Sequence, residues 1–302
     1  MHTIVAARNR FLLIEDCMMS TEAQTSQYID TPRWRLHYHV AGEGHPLIML
    51  HGSGPGASGW SNFNPNFAKL AQRYKVYLLD FPGWGKSSEY DPTGENRFLA
   101  NVEATRLFMD GLGIEKAALV GNSMGGLAAL MMTALHNDRV THCITMGAPA
   151  PGGPQLFFQP GGPTEGLKIL FATYADPSPE NFRRLVNVMV FDPAYATDEL
   201  VNQRSANALA NPAHLSNFLK GAAAMNIDGL GQDEVFAGLA RTTTPSLLIH
   251  GRDDRTVGVE HSMRLAGVMP NSSLIVFNRC GHWAQLEHAD RFNAMLAAFI
   301  DA

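Results

Sequence analysis

Five residues, Gly121-Asn122-Ser123-Met124-Gly125, constrain this chain more than any other stretch. An apolar run, Ala117 to Val120, precedes them, and an Ala- and Leu-rich segment, Leu127 to Leu135, follows. The pattern predicts a strand, a sharp turn and a helix. A serine on such a turn needs small residues two places away on either side, because strand and helix backbones close around it. Its hydroxyl then stands clear beside a helix N-terminus, whose free N–H groups stabilise a developing anion. From average glycine and serine usage about one chain in ten of this length carries the pattern by chance. The rest of the sequence therefore has to decide what the serine does.

Strand and helix signals alternate on both sides of it. Trp34 to Val40 alternates as a strand, a Gly42-Glu43-Gly44 turn follows, and Pro46 to Leu50 reads as a second strand. His37 and His39 share a face of the first and read as ordinary strand residues, there being no third ligand nearby for a metal. Asn96 to Leu112 has helical spacing, with Gly111 and Gly113 as its stop. Lys116 to Val120 and Cys143 to Met146 read as strands around the helix that runs to about His136. After Pro245 come a strand, Ser246 to His250, a helix, Val259 to Val268, a strand, Leu274 to Phe277, and a closing helix, Asp290 to Ile300. Strands separated by helices predict a mostly parallel sheet covered on both faces.

Composition shifts at Ala148. Pro149, Pro151, Pro154, Pro160 and Pro163, interleaved with glycines, rule out a regular element there. Four helix starts follow, at Thr164-Glu165, Ser178-Pro179-Glu180, Thr197-Asp198-Glu199 and Asn211-Pro212. About 80 helical residues without a strand, set inside an alternating chain, predict an inserted cap over the edge of the sheet. The expected division is an N-terminal extension at 1–32, a core at 33–147 and 228–302, and a helical cap at 148–227. Leu167, Leu170, Phe171, Phe182, Leu185, Met189, Phe191, Phe218 and Leu219 are candidates for the wall of an apolar pocket, although at least half must serve the cap's own core.

The 302 residues, 45% hydrophobic and 17% charged, suit one large globular domain with an insertion. With 23 basic and 28 acidic residues and no long run of either sign, the chain has no electrostatic footprint for nucleic acid. Cys17, Cys143 and Cys280 are odd in number and widely spaced, which indicates neither a disulfide framework nor a zinc cluster. Phe11 to Ile14 is too short for a signal-peptide core, and no apolar stretch reaches membrane-spanning length. These readings predict a cytoplasmic protein acting on a small molecule, with no membrane or nucleic-acid partner, no cofactor and no metal. Residues before Met18-Met19 are expected to be poorly ordered.

The segment from His51 to Asn62 contains a decoy. Gly54, Gly56 and Gly59 satisfy G-x-G-x-x-G after a strand, and Asp80 ends the next strand about 20 residues on, as a dinucleotide site requires. Against this, Pro55 sits between the glycines and Asp80 opens a further loop. The competing role of such a loop is to present backbone N–H groups to an oxyanion. His51 adjoins it and is expected to make a structural hydrogen bond.

Serine needs a base, and the base needs an acid to fix its tautomer and stabilise the imidazolium. Ser123, then Asp254, then His282 follow the required chain order, each just past a strand end, where open α/β sheets build their sites. Asp253 competes for the acid's place. Asp254 is favoured because the strand-end turn then has room to reverse toward His282. The remaining histidines and Cys280 read as surface or core residues.

Four segments together carry a resemblance: H-G-S-G-P-G-A-S-G-W-S-N, G-N-S-M-G-G, G-R-D-D-R and R-C-G-H-W-A-Q-x-E-H-A-D. They closely resemble the meta-cleavage product hydrolases, the carbon–carbon bond hydrolases of bacterial aromatic degradation, over about Arg33 to the C-terminus. The resemblance implies an α/β-hydrolase fold with a Ser123, Asp254 and His282 triad. It also implies oxyanion donors in the backbone N–H of Gly54, or Ser53, and of Met124. Asn62, Asn122, Arg204 and Trp283 would hold the dienoate carboxylate and enol, the arginine bidentately and the others by donating hydrogen bonds. Thr256 and Met189 stand where phenyl-accepting members can carry aromatics, so an aryl, an alkyl and a larger ring fragment are all open as the group cleaved off. By the same resemblance the protein would be a homo-oligomer. A carboxylesterase using the same triad and a non-catalytic binder on this fold are the alternatives.

Overall fold

The structure, a computed structural model, describes residues 21–93, 96–151, 162–221 and 232–302. The expectation for the first 18 residues, Cys17 and parts of the 148–227 segment lie outside them. An eight-stranded sheet forms the frame, with strands in the order β1-β2-β4-β3-β5-β6-β7-β8. They are β1 (Ser26–Asp30), β2 (Arg35–Ala41), β3 (Pro46–Leu50), β4 (Lys75–Leu79), β5 (Ala117–Asn122), β6 (Val140–Met146), β7 (Ser246–Gly251) and β8 (Ser272–Phe277). The β1–β2 and β2–β4 pairs are antiparallel and the rest parallel. Residues of β3 alternate between the two faces: Ile48 and Leu50 pack in one core, Leu47 and Met49 in the other. Ala117 and Leu119 of β5 join the first, Ala118 and Val120 the second. Burial on both faces explains why these strands read as continuous apolar runs and not as alternating ones.

Helices α2 (Gly59–Leu70) and α12 (Ala289–Ile300) cover one face through Phe63, Phe67, Phe292 and Leu296. The other face carries α3 (Arg97–Gly111), α4 (Met124–Leu135), α9 (Gln232–Arg241) and α10 (Glu260–Val268). Each fully buried Leu, Ile or Phe contributes about 1.5–3 kcal/mol, so the two cores set the geometry of every strand end above them.

Between β6 and α9 the described residues hold four α-helices and no strand: α5 (Glu165–Ala175), α6 (Pro179–Met189), α7 (Asp198–Leu209) and α8 (Pro212–Gly221). Thr164, Ser178 and Thr197 cap the first three by accepting from Leu167, Asn181 and Leu200 N–H. No helix among the described residues is long and apolar enough to cross a membrane.

One expected boundary shifts. Ser26–Asp30, assigned above to the extension, is the edge strand β1, preceded by the short helix α1 (Glu22–Thr25). Its polar sequence hid it because an edge strand is mostly solvent-exposed; here only Ser26 and Ile29 are part-buried. Buried histidines pin it: His37 Nε2 lies 2.7 Å from Ser26 Oγ, and His39 Nδ1 2.9 Å from Thr25 Oγ1.

Candidate active site

The turn after β5 puts Ser123 at φ 54° and ψ −117°, in the left-handed half of the map where a side chain is strained. Strain of this kind persists because the surroundings hold it: a Cβ on Gly121 would stand 2.2 Å from Gly125 O, and one on Gly125 2.1 Å from Leu50 O. Ser123 is also the N-cap of α4, so Met124 N–H, at the first helical position, has no intrahelical partner.

Ser123 lines a cavity of about 260 Å³ together with His282, Asn122, Met124, Ser53 and Gly54. The second half of the arrangement forms between the loops after β7 and β8. His282 Nδ1 donates to Asp254 Oδ2 at 2.7 Å, which leaves Nε2 as the basic nitrogen. Ser123 and His282 share the cavity without a hydrogen bond between them. Asp253, the competitor, spends its carboxylate on Arg252 and on Cys280 N–H.

The Asp254 carboxylate is fully buried and held by four groups. Its Oδ1 accepts from Thr256 and Val257 N–H at 2.7 and 3.0 Å, and its Oδ2 lies 3.3 Å from His250 Nε2 as well as against His282. Burial alone would raise this carboxyl; the charge and hydrogen bonds of His282 and His250 outweigh it and hold the group well below the usual carboxylate range. His250 was among the histidines read as plain core residues, a reading that misses its contact with Asp254. Its Nε2 donates to Val257 O at 2.8 Å and its Nδ1 lies 2.7 Å from Ser262 Oγ, so the ring is held from both sides.

The glycine-rich loop is set by contacts the sequence does not advertise. Tyr174 on α5 donates its hydroxyl to Ser53 O at 2.7 Å. Carbonyl and N–H of a trans peptide point opposite ways, so this bond turns Gly54 N–H away from α5. Trp84 Nε1 donates to Gly54 O at 3.2 Å. His51 makes its expected structural bonds: Nδ1 donates to Gly52 O at 2.7 Å and Nε2 accepts from Phe81 N–H at 3.0 Å. The dinucleotide alternative fails on Asp80, which is buried and committed to Gly59 N–H, Lys86 N–H and His37 Nδ1. Gly56, at φ +64°, is glycine because α7 passes close by; a Cβ there would meet Ala208 N at 2.7 Å.

The four residues expected to bind substrate all line the cavity, and the two asparagines spend their amide hydrogens inside the protein. Asn122 donates both amide hydrogens, to Met146 O and to His282 O at 3.2 Å each, and only its buried Oδ1 is without a partner. It cannot donate to a ligand, and what it offers is an acceptor. Asn62 lies in the first turn of α2 and not in the loop; its Oδ1 accepts from Gly52 N–H and its Nδ2 donates to Ser58 O. Arg204 on α7 is buried with its guanidinium 4.6 Å from the Trp283 ring centroid. Pro65 inside α2 has no N–H for Ser61 O, and Arg204 Nη2 approaches that carbonyl at 3.4 Å. Arg204 Nε has no partner, and burial lowers the group to about 10. A desolvated cation with an unused donor is a ready partner for a planar carboxylate.

Of the apolar candidates, Leu167, Leu170, Phe171, Leu185, Met189 and Phe218 reach the cavity. Phe182 packs in the helical segment's own core, and Phe191 and Leu219 are exposed. The inserted helices are tied to both acid–base loops. Met189 O accepts from His282 N–H at 2.7 Å, and the Glu287 carboxylate accepts from Phe191 and Gly281 N–H at 2.6 and 2.7 Å. Thr164 Oγ1 donates to Thr256 O at 2.8 Å, and Gly166 N–H to Arg255 O at 3.0 Å.

Residues 45–289 match the family described as alpha/beta hydrolase fold. A 2-hydroxy-6-oxononadienedioate/2-hydroxy-6-oxononatrienedioate hydrolase of Burkholderia vietnamiensis is 43% identical over 94% of this chain and 99% of its own length. A 2-hydroxy-6-oxo-6-phenylhexa-2,4-dienoate hydrolase of Burkholderia cepacia is 42% identical over 93% and 98%. Among solved structures, the meta-cleavage product hydrolase of Pseudomonas fluorescens superposes with a TM-score of 0.81 at 30% identity, covering 91% of this chain and 97% of that one. With its eight-stranded sheet, the strained serine after β5 and the His282–Asp254 pair, the chain belongs to the α/β-hydrolase fold family and, within it, to the meta-cleavage product hydrolases.

Proposed function

We propose that the protein hydrolyses the C5–C6 bond of 2-hydroxy-6-oxohexa-2,4-dienoates, the ring-fission products of aromatic catabolism, giving 2-hydroxypenta-2,4-dienoate and a carboxylic acid. The observation that carries this reading beyond a general esterase is Arg204, a buried cation with an unused donor beside Trp283, on the cavity that Ser123 also lines. It takes the C1 carboxylate, and the free Oδ1 of Asn122 accepts from the 2-hydroxyl. The helices α5 to α8 act as a cap over the bound dienoate.

Two stages follow. The dienol first becomes its keto form by gaining a proton at C5 and losing that of the hydroxyl, so that C5 can leave as a stabilised carbanion. His282 Nε2 then takes the Ser123 proton while Oγ bonds to C6, and the backbone N–H groups of Met124 and of Gly54 or Ser53 hold the oxyanion. Collapse breaks C5–C6, the electron pair passes to the dienolate, which takes the proton from His282 to give the 2-hydroxydienoate, and water then attacks the acyl group on Ser123 with the freed His282 as base, the proton returning to Oγ as the acid leaves. The imidazolium is stabilised throughout by Asp254. The test is loss of dienolate absorbance when purified protein meets a panel of ring-fission products, with capture of a labelled acyl group on Ser123. Full hydrolysis by Ser123→Ala would sink the nucleophile assignment, and turnover of simple esters alone, indifferent to loss of Arg204, would make the protein a carboxylesterase.

A further inference from the structure

The cavity wall divides by its contacts. Asn62, Arg204 and Trp283 form one flank, joined through Ser61 O and the indole ring. Pro149, Leu167, Met189, Thr256, Val257 and His261 form the other. The second flank is knit together by Thr164 Oγ1 on Thr256 O, and by Thr256 Oγ1 on Met189 Sδ at 3.3 Å.

On that flank the ionisable groups beside the cavity are His261 and, behind Thr256 and Val257, the Asp254 carboxylate. Ala150 N–H donates to His261 Nδ1 at 3.1 Å, so protonating that nitrogen would set two donors against each other. Burial, with the nearby charges, also lowers the ring to about 4, and it stays neutral at working pH. Basic residues on the neighbouring elements are engaged elsewhere or lie in solvent. Arg255 is exposed and bound to Asn187 O and Glu165, Arg264 lies over the Phe236 ring, and Lys168 is exposed. The sequence places no Lys, Arg or His at 152–161 or 222–231, the segments nearest in the chain whose positions are not described. A second carboxylate on this flank would be desolvated without a cation.

We propose that the group carried on the reacting carbonyl is neutral and apolar, an aryl or branched alkyl, and that substrates bearing a second carboxylate there are rejected. The proposal rests on the dienoate reading above, which fixes what lies at the Arg204 flank. It is tested with the wild-type enzyme on three ring-fission products that share the dienoate head and differ at C6: phenyl, isopropyl and 2-carboxyethyl. Both neutral compounds are expected to exceed the diacid by about 100-fold in kcat/KM, the scale set by burying an unpaired carboxylate. A ratio below about tenfold overturns the proposal. If none of the three is cleaved, the dienoate reading fails on its own. The same flank is then read with the p-nitrophenyl esters of isobutyrate and of succinate, where parity overturns the proposal and a neutral preference above tenfold upholds it.

Discussion

Replacing Gly147 with alanine tests the acid–base pair from outside it. Gly147 follows β6 at φ +53°, and a Cβ there would stand 2.8 Å from His282 Nδ1 and 3.0 Å from Asp254 Oδ2, the two atoms of the 2.7 Å bond. Both contacts are too short, so the imidazole, the carboxylate or the strand end must move by several tenths of an ångström. A hydrogen bond to a charged group contributes about 1.5–3 kcal/mol, and each 1.36 kcal/mol is tenfold in rate. Losing most of it lowers kcat by about 10–150-fold, with KM nearly unchanged because Gly147 is not on the cavity wall. Left-handed strain adds about 1–2 kcal/mol of destabilisation, a fall in Tm of roughly 2–3 °C. Steady-state kinetics on a ring-fission product and thermal unfolding by circular dichroism measure the two separately. A variant with the lowered Tm but wild-type kcat would show that the pair yields without cost, and would refute the claim that its geometry is set by the close approach of Gly147.

Arg204→Lys keeps the charge but loses the fork and Nε, so kcat/KM should fall by about 100-fold, mostly through KM, as product inhibition by 2-hydroxypenta-2,4-dienoate weakens in parallel. Tyr174→Phe removes the hydroxyl on Ser53 O and should lower kcat about tenfold, the scale of one neutral hydrogen bond; unchanged kcat would mean that the loop holds Gly54 N–H without help. His214 stacks among Trp84, Tyr174 and Phe218 and is lowered to about 3 by burial, with the Arg97 charge adding to it. Its folded state therefore binds fewer protons than the unfolded chain, and stability is full above about pH 6.5 and is lost as pH falls toward 3. His214→Gln should flatten that acid limb in a denaturant-midpoint series; an unaltered slope would exclude His214 as its source.

Sequence carries the parts of this site that local chemistry dictates. The strand–turn–helix around Ser123 follows from small residues flanking a strained turn, and the caps Thr164, Ser178 and Thr197 stand one residue before their helices. The preference for Asp254 over Asp253 agrees with the hydrogen bond to His282. What stays hidden depends on distant partners. His250 reads as the last residue of an apolar strand, and only the return of the chain at 254 sets it against the carboxylate. Tyr174 looks like one more aromatic in a helix until its hydroxyl meets a carbonyl 121 positions away. Asn122 reads as a donor, yet Met146 and His282 carbonyls consume both hydrogens. The edge strand β1 lacks the alternation that betrays a half-buried strand, because little of it is buried.

The bonds from Met189 to His282, from Glu287 to Phe191 and Gly281, and from Thr164 and Gly166 to residues 255 and 256 bear on how such enzymes can be rebuilt. A chimera that exchanges residues 148–227 for those of a relative, while keeping the native loops after β7 and β8, would join an imported helical segment to seats shaped for another. Its misfit would then be felt at His282 before it was felt by any substrate. Transplants that carry residues 252–257 and 279–288 along with the helices would preserve those seats. The exchangeable unit in this protein is thus discontinuous in the chain, and grafting designed on the inserted segment alone would report a loss of turnover that has nothing to do with specificity.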